Sequence, residues 1–180
     1  MKVYLSSDWH LGHGLFIKDG SRPFTSVDEM DDYIIDQVNS KVGKKDLLIL
    51  LGDICWREPE EYMGRILCKN KILVMGNHDK QFSVTRLSKL FSEVRDAYTL
   101  KLPSEPEHFI YLSHYAHLVW PNQHYGSLHA FGHSHGKLKN PIPGSYDVGL
   151  DNNSMQILEL YELLTILRET KNEIPNNHCD

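Results

Sequence analysis

Asp8 and His10, Asp53, Asn77 with His78 and Asp79, His114, and His133 with His135 carry the carboxylate, amide and imidazole groups of this sequence best placed to bind a ligand or move a proton. Each group directly follows a short apolar run. Ser6-Ser7-Asp8-Trp9-His10 comes after Val3-Tyr4-Leu5, Gly52-Asp53 after Leu47 to Leu51, and Gly76-Asn77-His78-Asp79 after Ile72 to Met75. Ser113-His114 follows Phe109 to Leu112, and Gly132-His133-Ser134-His135 follows Leu128 to Phe131. In Asp8-x-His10 and His133-x-His135, alternate residues of an extended segment face the same way. One such residue at a strand end is ordinarily a structural polar group. Several in register ask either for as many independently satisfied groups near a buried edge, which is costly, or for a shared ligand.

The donor types narrow that ligand. Asp, Asn and His without Cys exclude a zinc–thiolate site. Asp8, His10, Asp53, Asn77, His114, His133 and His135 are more donors than one ion needs, and they suit two divalent ions sharing a carboxylate. Mixed imidazole and carboxylate ligands favour Mn, Fe, Zn, Co or Ni over Ca, with Mn first among them, and so many imidazoles disfavour Mg. Two ions about 3.5–4 Å apart activate a bridging hydroxide and clamp a phosphoryl centre for in-line displacement. Phosphoester hydrolysis is the reaction that most needs this arrangement.

To converge, these segments must sit on neighbouring strands. Val3-Tyr4-Leu5, Leu47 to Leu51 and Ile72 to Met75 read as strands buried on both faces. Between the first two, Ser26-Val27-Asp28-Glu29 has capping-box spacing, and Met30, Ile34, Val38 and Val42 recur every four residues, which predicts a helix. Between the second and third, Pro59 starts another, with Met63, Ile66 and Leu67 on one face. This β-α-β-α-β order favours a parallel sheet with right-handed crossovers, in which ligands bind at the carboxyl ends of the strands. A short helix carries Val84, Leu87 and Phe91. The second half has α+β character, with strands at Ala97 to Leu102, Phe109 to Leu112, Leu128 to Phe131 and Tyr146 to Leu150. A final helix carries Leu158, Tyr161, Ile166 and Leu167, and Asn172 to Asp180 reads as a flexible tail. The expected fold is α/β, a two-sheet mixed β-sandwich flanked by helices, in a single domain over residues 1–171.

Composition bounds the partners. A net charge of −5 supplies no global basic field for nucleic acid, although metal ions can supply positive charge locally. Cys55, Cys68 and Cys179 are an odd count without C-x-x-C spacing, which reads as reduced thiols in a cytoplasm. The longest aliphatic run, Leu47 to Leu51, is far too short to span a membrane. Met1 to Leu5 runs straight into an expected core strand, so no signal peptide is expected.

Asp8-x-His10, Gly52-Asp53, Gly76-Asn77-His78-Asp79, His114 and Gly132-His133-x-His135 resemble, in order, the five signature blocks of the calcineurin-like metallophosphoesterase superfamily. The compact length and Arg22-Pro23-Phe24 are similar to its small bacterial and phage members. The resemblance implies a two-sheet α/β sandwich in which Asp8, His10 and His135 hold one metal and Asp53 bridges to a second, completed by Asn77, His114 and His133. It implies that His78 contacts the scissile phosphate or protonates the leaving oxygen as general acid. It sets Arg57 in the place of a phosphate-binding Arg of the protein-phosphatase branch, where Trp56 stands in place of the Asp that partners the catalytic His. Asp79 then either orients His78 or caps the following helix.

Other residues divide between a site and a structural role. His13 reads as a neighbour of the metals, a substrate contact or a surface-loop residue, and Arg22 as a salt-bridge partner more readily than a phosphate ligand. His117 and His124 could line the substrate mouth, whereas His129 inside a strand reads as structural. Trp56, Trp120 and Tyr115 could stack on a base, with core packing as the default for aromatics. Asp147 and Asp151 read as strand-end or turn residues. The expected activity is phosphodiester hydrolysis on a nucleotide or nucleic-acid end. A phosphomonoesterase or protein phosphatase, a non-catalytic scaffold and a metal-storage protein are the alternatives.

Overall fold

The computed structural model describes residues 1–139 and 141–172. The segment expected to form a tail lies outside the described residues, apart from Asn172, which ends the last helix. The chain runs from β1 (Val3–Ser6) through α1 (Leu15–Lys18) and α2 (Val27–Lys41) to β2 (Leu47–Leu50). α3 (Pro59–Arg65), β3 (Asn70–Val74), α4 (Val84–Leu87) and β4 (Glu93–Arg95) follow. β5 (Ala97–Lys101), β6 (Phe109–Ser113), β7 (Leu128–Phe131), β8 (Ser145–Asp147), β9 (Leu158–Glu159) and α5 (Leu160–Asn172) complete it.

The strands form two sheets, ordered β4-β3-β2-β1-β9 and β5-β6-β7-β8. β1 to β4 are parallel, with Val3 opposite Leu47 and Leu47 opposite Asn70, and β9 closes the edge antiparallel to β1. In the second sheet β6, β7 and β8 are parallel and β5 is antiparallel at the edge. This is the mixed two-sheet sandwich expected from the sequence.

Alternation along each strand explains the continuous apolar runs. Leu48 and Leu50 point into one core with Met30, Ile34 and Val38 of α2 and Met63 of α3. Ile49 and Leu51 point the other way, into a second core with Ile110, Leu112 and Leu128 of the second sheet and Leu163, Leu164 and Leu167 of α5. A strand buried on both faces has no polar side to spare, so its functional groups can only follow it.

The helix caps are local. Ser26 Oγ accepts from the Glu29 N–H at 3.1 Å, while the Glu29 carboxylate reaches back to the Thr25 N–H at 2.8 Å. This is a capping box displaced by one residue at its return contact.

Several expected elements differ. α3 stops at Arg65 and leaves Leu67 exposed, because the chain turns extended at Ile66 to enter β3. Val84 at the head of α4 is also exposed, while Leu87 and Phe91 are buried. The strand expected at Tyr146 to Leu150 ends at Asp147, whose carboxylate accepts the Gly149 N–H and turns the chain into a 3-10 helix at Leu150–Asn152. Leu158 lies in β9 rather than in the last helix, and Tyr161 is exposed. Among the described residues no helix is long and apolar enough to cross a membrane.

Candidate metal centre

The loops leaving β1, β2, β3, β6 and β7 meet at one edge of the sandwich, where the two sheets are tied directly together. The His133 N–H donates to Asp8 Oδ2 at 2.9 Å, and His114 Nδ1 lies 2.7 Å from the Leu51 carbonyl. A carbonyl only accepts, so Nδ1 of His114 carries the hydrogen and Nε2 is left with its lone pair free for a metal. Gly52, with φ +94°, lets this approach happen, since a Cβ there would stand 2.6 Å from His114 Nδ1 and 2.5 Å from the Gly76 nitrogen.

The backbone at these positions is unusual. Asp8 (φ 58°), His10 (φ 50°), Asp53 (φ 54°), His133 (φ 66°) and His135 (φ 49°) all adopt left-handed conformations. Each costs of order 1–3 kcal/mol, and such strain persists only where surrounding contacts over-determine it. Here those contacts are backbone hydrogen bonds from Asp8 N to Gly52 O and from His10 N to Asp53 O, at 3.0 and 2.9 Å.

The side chains converge in three overlapping groups: Asp8, His10 and His135; His10, Asp53 and His78; and Asp53, His114 and His133. His10 Nε2 lies 3.8 Å from Asp8 Oδ1 and 3.7 Å from Asp53 Oδ2, and His114 Nε2 lies 3.4 Å from Asp53 Oδ2. Asn77 Oδ1 is 3.0 Å from His114 Nε2. Asp8 Oδ1 and His10 Nε2 are buried polar atoms with no hydrogen-bond partner. Such orphans are expensive, and a cation between them would satisfy both. These nitrogen and oxygen donors fit divalent transition metals. Burial alone would raise the Asp53 carboxyl, but hydrogen bonding and charge from His114 outweigh it and hold the carboxyl below its ordinary range. The same pairing carries the His114 imidazole above its ordinary value against its burial.

Comparison with known proteins agrees with this geometry. The sequence model of the calcineurin-like phosphoesterases matches residues 1–146. The chain belongs to this family. The Gene 66 protein of Mycobacterium phage D29 is 28% identical over 177 residues, covering 83% of this chain and 87% of that one. An uncharacterised protein of Methanocaldococcus jannaschii is 36% identical over 83 residues, so the match spans 44% of this chain and 47% of that protein. A protein of unknown function from Aquifex aeolicus shares the fold, with a TM-score of 0.72 and 21% identity over 92% of this chain and 98% of that one.

In this member of the calcineurin-like phosphoesterase family, the residues around the candidate ligands take roles that the sequence left open or missed. Asp151 accepts from His135 Nδ1 at 2.6 Å and from both Nε and Nη2 of Arg22, at 2.8 and 2.9 Å. Arg22 is fully buried and also donates to the carbonyls of Asp8 and Trp9, at 2.6 and 2.7 Å. It is therefore the salt-bridge partner expected, but one that braces the Asp8-Trp9 backbone. Asp151 is more than the turn residue expected, because it fixes the tautomer and orientation of the His135 imidazole, a candidate metal ligand. Although its burial opposes ionisation, Arg22 and His135 hold its carboxyl far below the usual range.

Asp79 does neither of the things expected of it. Its carboxylate is fully buried and accepts the N–H groups of Asp53, Ile54 and Gly76 at 2.8, 3.0 and 2.8 Å, with His78 as the N-cap of the 3-10 turn instead. It locks the Asp53 loop to the β3 loop. His78 donates its backbone N–H to Asp53 Oδ1 and sets its Nε2 4.0 Å from Asp53 Oδ2.

Arg57 is exposed and does not line the cavity beside the ligands. Nor do His117 and His124: the His117 N–H donates to His129 Nε2, and the exposed His124 packs on Tyr125. His129 is fully buried with both ring nitrogens engaged, as expected. Trp120 is a core residue, whereas Tyr115 packs edge-on against His133, and Trp56 stacks on His13 in the cavity wall.

Proposed function

We propose that this chain is a phosphodiesterase acting on a nucleotide or nucleic-acid end, with two divalent cations, manganese first among them, as cofactors. Asp8, His10 and His135 would hold one ion and Asn77, His114 and His133 the other, with Asp53 shared. The position of Asp53 carries the reading, since its Oδ2 lies within 3.7 Å of His10 Nε2 and 3.4 Å of His114 Nε2. When bound, such ions supply an activated water and offset charge on the phosphoryl oxygens.

The chain's own residues do the rest. Asp151 and the Leu51 carbonyl keep His135 and His114 turned with Nε2 inward. His78, with its side chain 37% exposed at the mouth, hydrogen-bonds or protonates the leaving oxygen. The open cavity beside His10 and His135 leaves room for a second ester substituent, which favours a diester over a monoester. The free thiols of Cys55 and Cys68 support a reducing compartment, and we place the enzyme in the cytoplasm.

The test is hydrolysis of bis-p-nitrophenyl phosphate beside p-nitrophenyl phosphate by protein stripped of metal and reloaded with Mn, Ni, Zn, Co or Mg. Metal-dependent preference for the diester, lost in Asp53→Asn, is expected. Preference for the monoester would move the reading to a phosphatase, and silence with two ions bound would move it to a scaffold.

A further inference from the structure

We propose that the cavity beside the ligand cluster is a nucleobase site, so that the substrate is a free nucleotide ester whose base lies against Trp56. The proposal rests on the phosphoesterase reading and narrows its substrate. The cavity has a volume of about 630 Å³, within the usual range for small-molecule sites. It opens over one side of the cluster only, for His10, His78 and His135 line it and Asn77, His114 and His133 do not. A phosphate held by the ligands therefore sends one ester substituent into this space.

The wall chooses the substituent. Leu15, Phe16 and Trp56 give it a broad apolar surface, and Leu15 and Trp56 are 51% and 40% exposed. Exposed apolar side chains gathered at a pocket are a binding surface rather than a packing one. The His13 ring stacks parallel to the Trp56 indole, with centroids 4.1 Å apart and planes 1° from coplanar, which holds the indole in a defined plane. The wall also carries the polar side chains of Ser21 and Lys137. A heteroaromatic ring, with flat faces for stacking and donors or acceptors at its edge, suits such a mixed wall better than a hydrocarbon group.

Charge separates a free nucleotide from a strand end. Among the described residues, Lys137 is the only lysine or arginine lining the cavity, and the chain carries a net charge of −5. Binding along a nucleic-acid strand relies on a positively charged groove that tracks the backbone, and the cavity offers one cation.

The test is calorimetry on the manganese-loaded protein with two compounds that cannot be hydrolysed: the phosphonate analogue of a nucleoside 5′-monophosphate, and methylphosphonate. The nucleoside analogue should bind at least about fivefold more tightly, because stacking one base on an aromatic side chain is worth roughly 5- to 150-fold in affinity. Trp56→Ala should remove most of that advantage and Trp56→Phe should keep most of it, with circular dichroism checking the fold of both. Equal affinity for the two compounds, or an equal loss for both in Trp56→Ala, would overturn the site. A terminally phosphorylated oligonucleotide that binds more tightly than the nucleoside analogue would overturn the choice of a free nucleotide. The comparison needs no turnover, so failure of the hydrolase reading leaves this result to be read separately.

Discussion

Asp151 Oδ2 and His135 Nδ1 meet at 2.6 Å, and the same carboxylate grips the buried guanidinium of Arg22 from two sides. One acidic residue therefore orients the His135 imidazole and neutralises the cation that braces the backbone of Asp8 and Trp9. Asp151→Asn keeps the shape and removes the charge. Metal affinity should fall 10- to 100-fold, as for other partners of ligand histidines. The metal-free protein should lose about 3 kcal/mol, because the buried Arg22 is left uncompensated. A chelator-competition titration and urea unfolding measure the two effects, and unchanged affinity would refute the orienting role.

Gly132→Ala tests the join between the sheets. A Cβ at this position would overlap Ser7 Oγ and stand 2.5 Å from Asp8 Oδ2, both on buried residues. Stability should drop by about 1–3 kcal/mol, and metal affinity should drop with it. Gly64→Ala is the contrast, since nothing lies within 4 Å of a Cβ there and the residue sits in α3. That change should stabilise by up to about 1 kcal/mol. Thermal unfolding with and without manganese reads both.

Asp79→Asn should disable the centre without touching a donor side chain. An amide has one acceptor oxygen where the carboxylate takes three N–H groups, so at least one loses its partner. A cost of about 2–3 kcal/mol is expected, together with weaker metal binding through displacement of Asp53. Full retention of metal affinity in the folded variant would mean that Asp79 serves stability alone.

His129 gives the fold an acid sensitivity of its own. Burial is the main cause that lowers its imidazole from 6.5 to about 4. The unfolded chain takes up this proton near pH 6.5 and the folded chain only near 4, so the contribution is intact above 6.5 and is lost as pH falls between the two. The loss amounts to about 3 kcal/mol. His129→Gln should flatten that part of the stability curve in pH-dependent urea unfolding. Parallel curves for the two proteins would count against it.

The convergence of the candidate ligands is legible because each directly follows an apolar run, and the doubly buried strands leave them nowhere else to project. The same rule points to Asp151, which follows Leu150, although the expected strand ran past the turn that places it. Arg22 and Asp79 were harder to read. The carboxylate that pairs with Arg22 lies 129 residues away, and the Asp53 N–H that bonds Asp79 lies 26 away. Two of Arg22's five side-chain hydrogen bonds and all three to the Asp79 carboxylate involve backbone atoms, which leave no pattern in side-chain types. β4 and β9 escaped for a different reason. Glu93-Val94-Arg95 and Leu158-Glu159 are short edge strands specified by their neighbours rather than by alternation of their own.

The left-handed backbone at Asp8, His10, Asp53, His133 and His135 sets the interests of the fold against those of the centre. Glycine adopts this conformation at little steric cost, but Asp8, Asp53 and His135 also hold their loops through side-chain hydrogen bonds, so the gain is open only where the side chain carries none, as at His133. A library selected for heat resistance alone, in chelator, would be drawn toward glycine at that position and would return a sturdier protein with one candidate ligand fewer. Selection in the presence of the cation reverses the pressure, because binding then rewards the strained side chains.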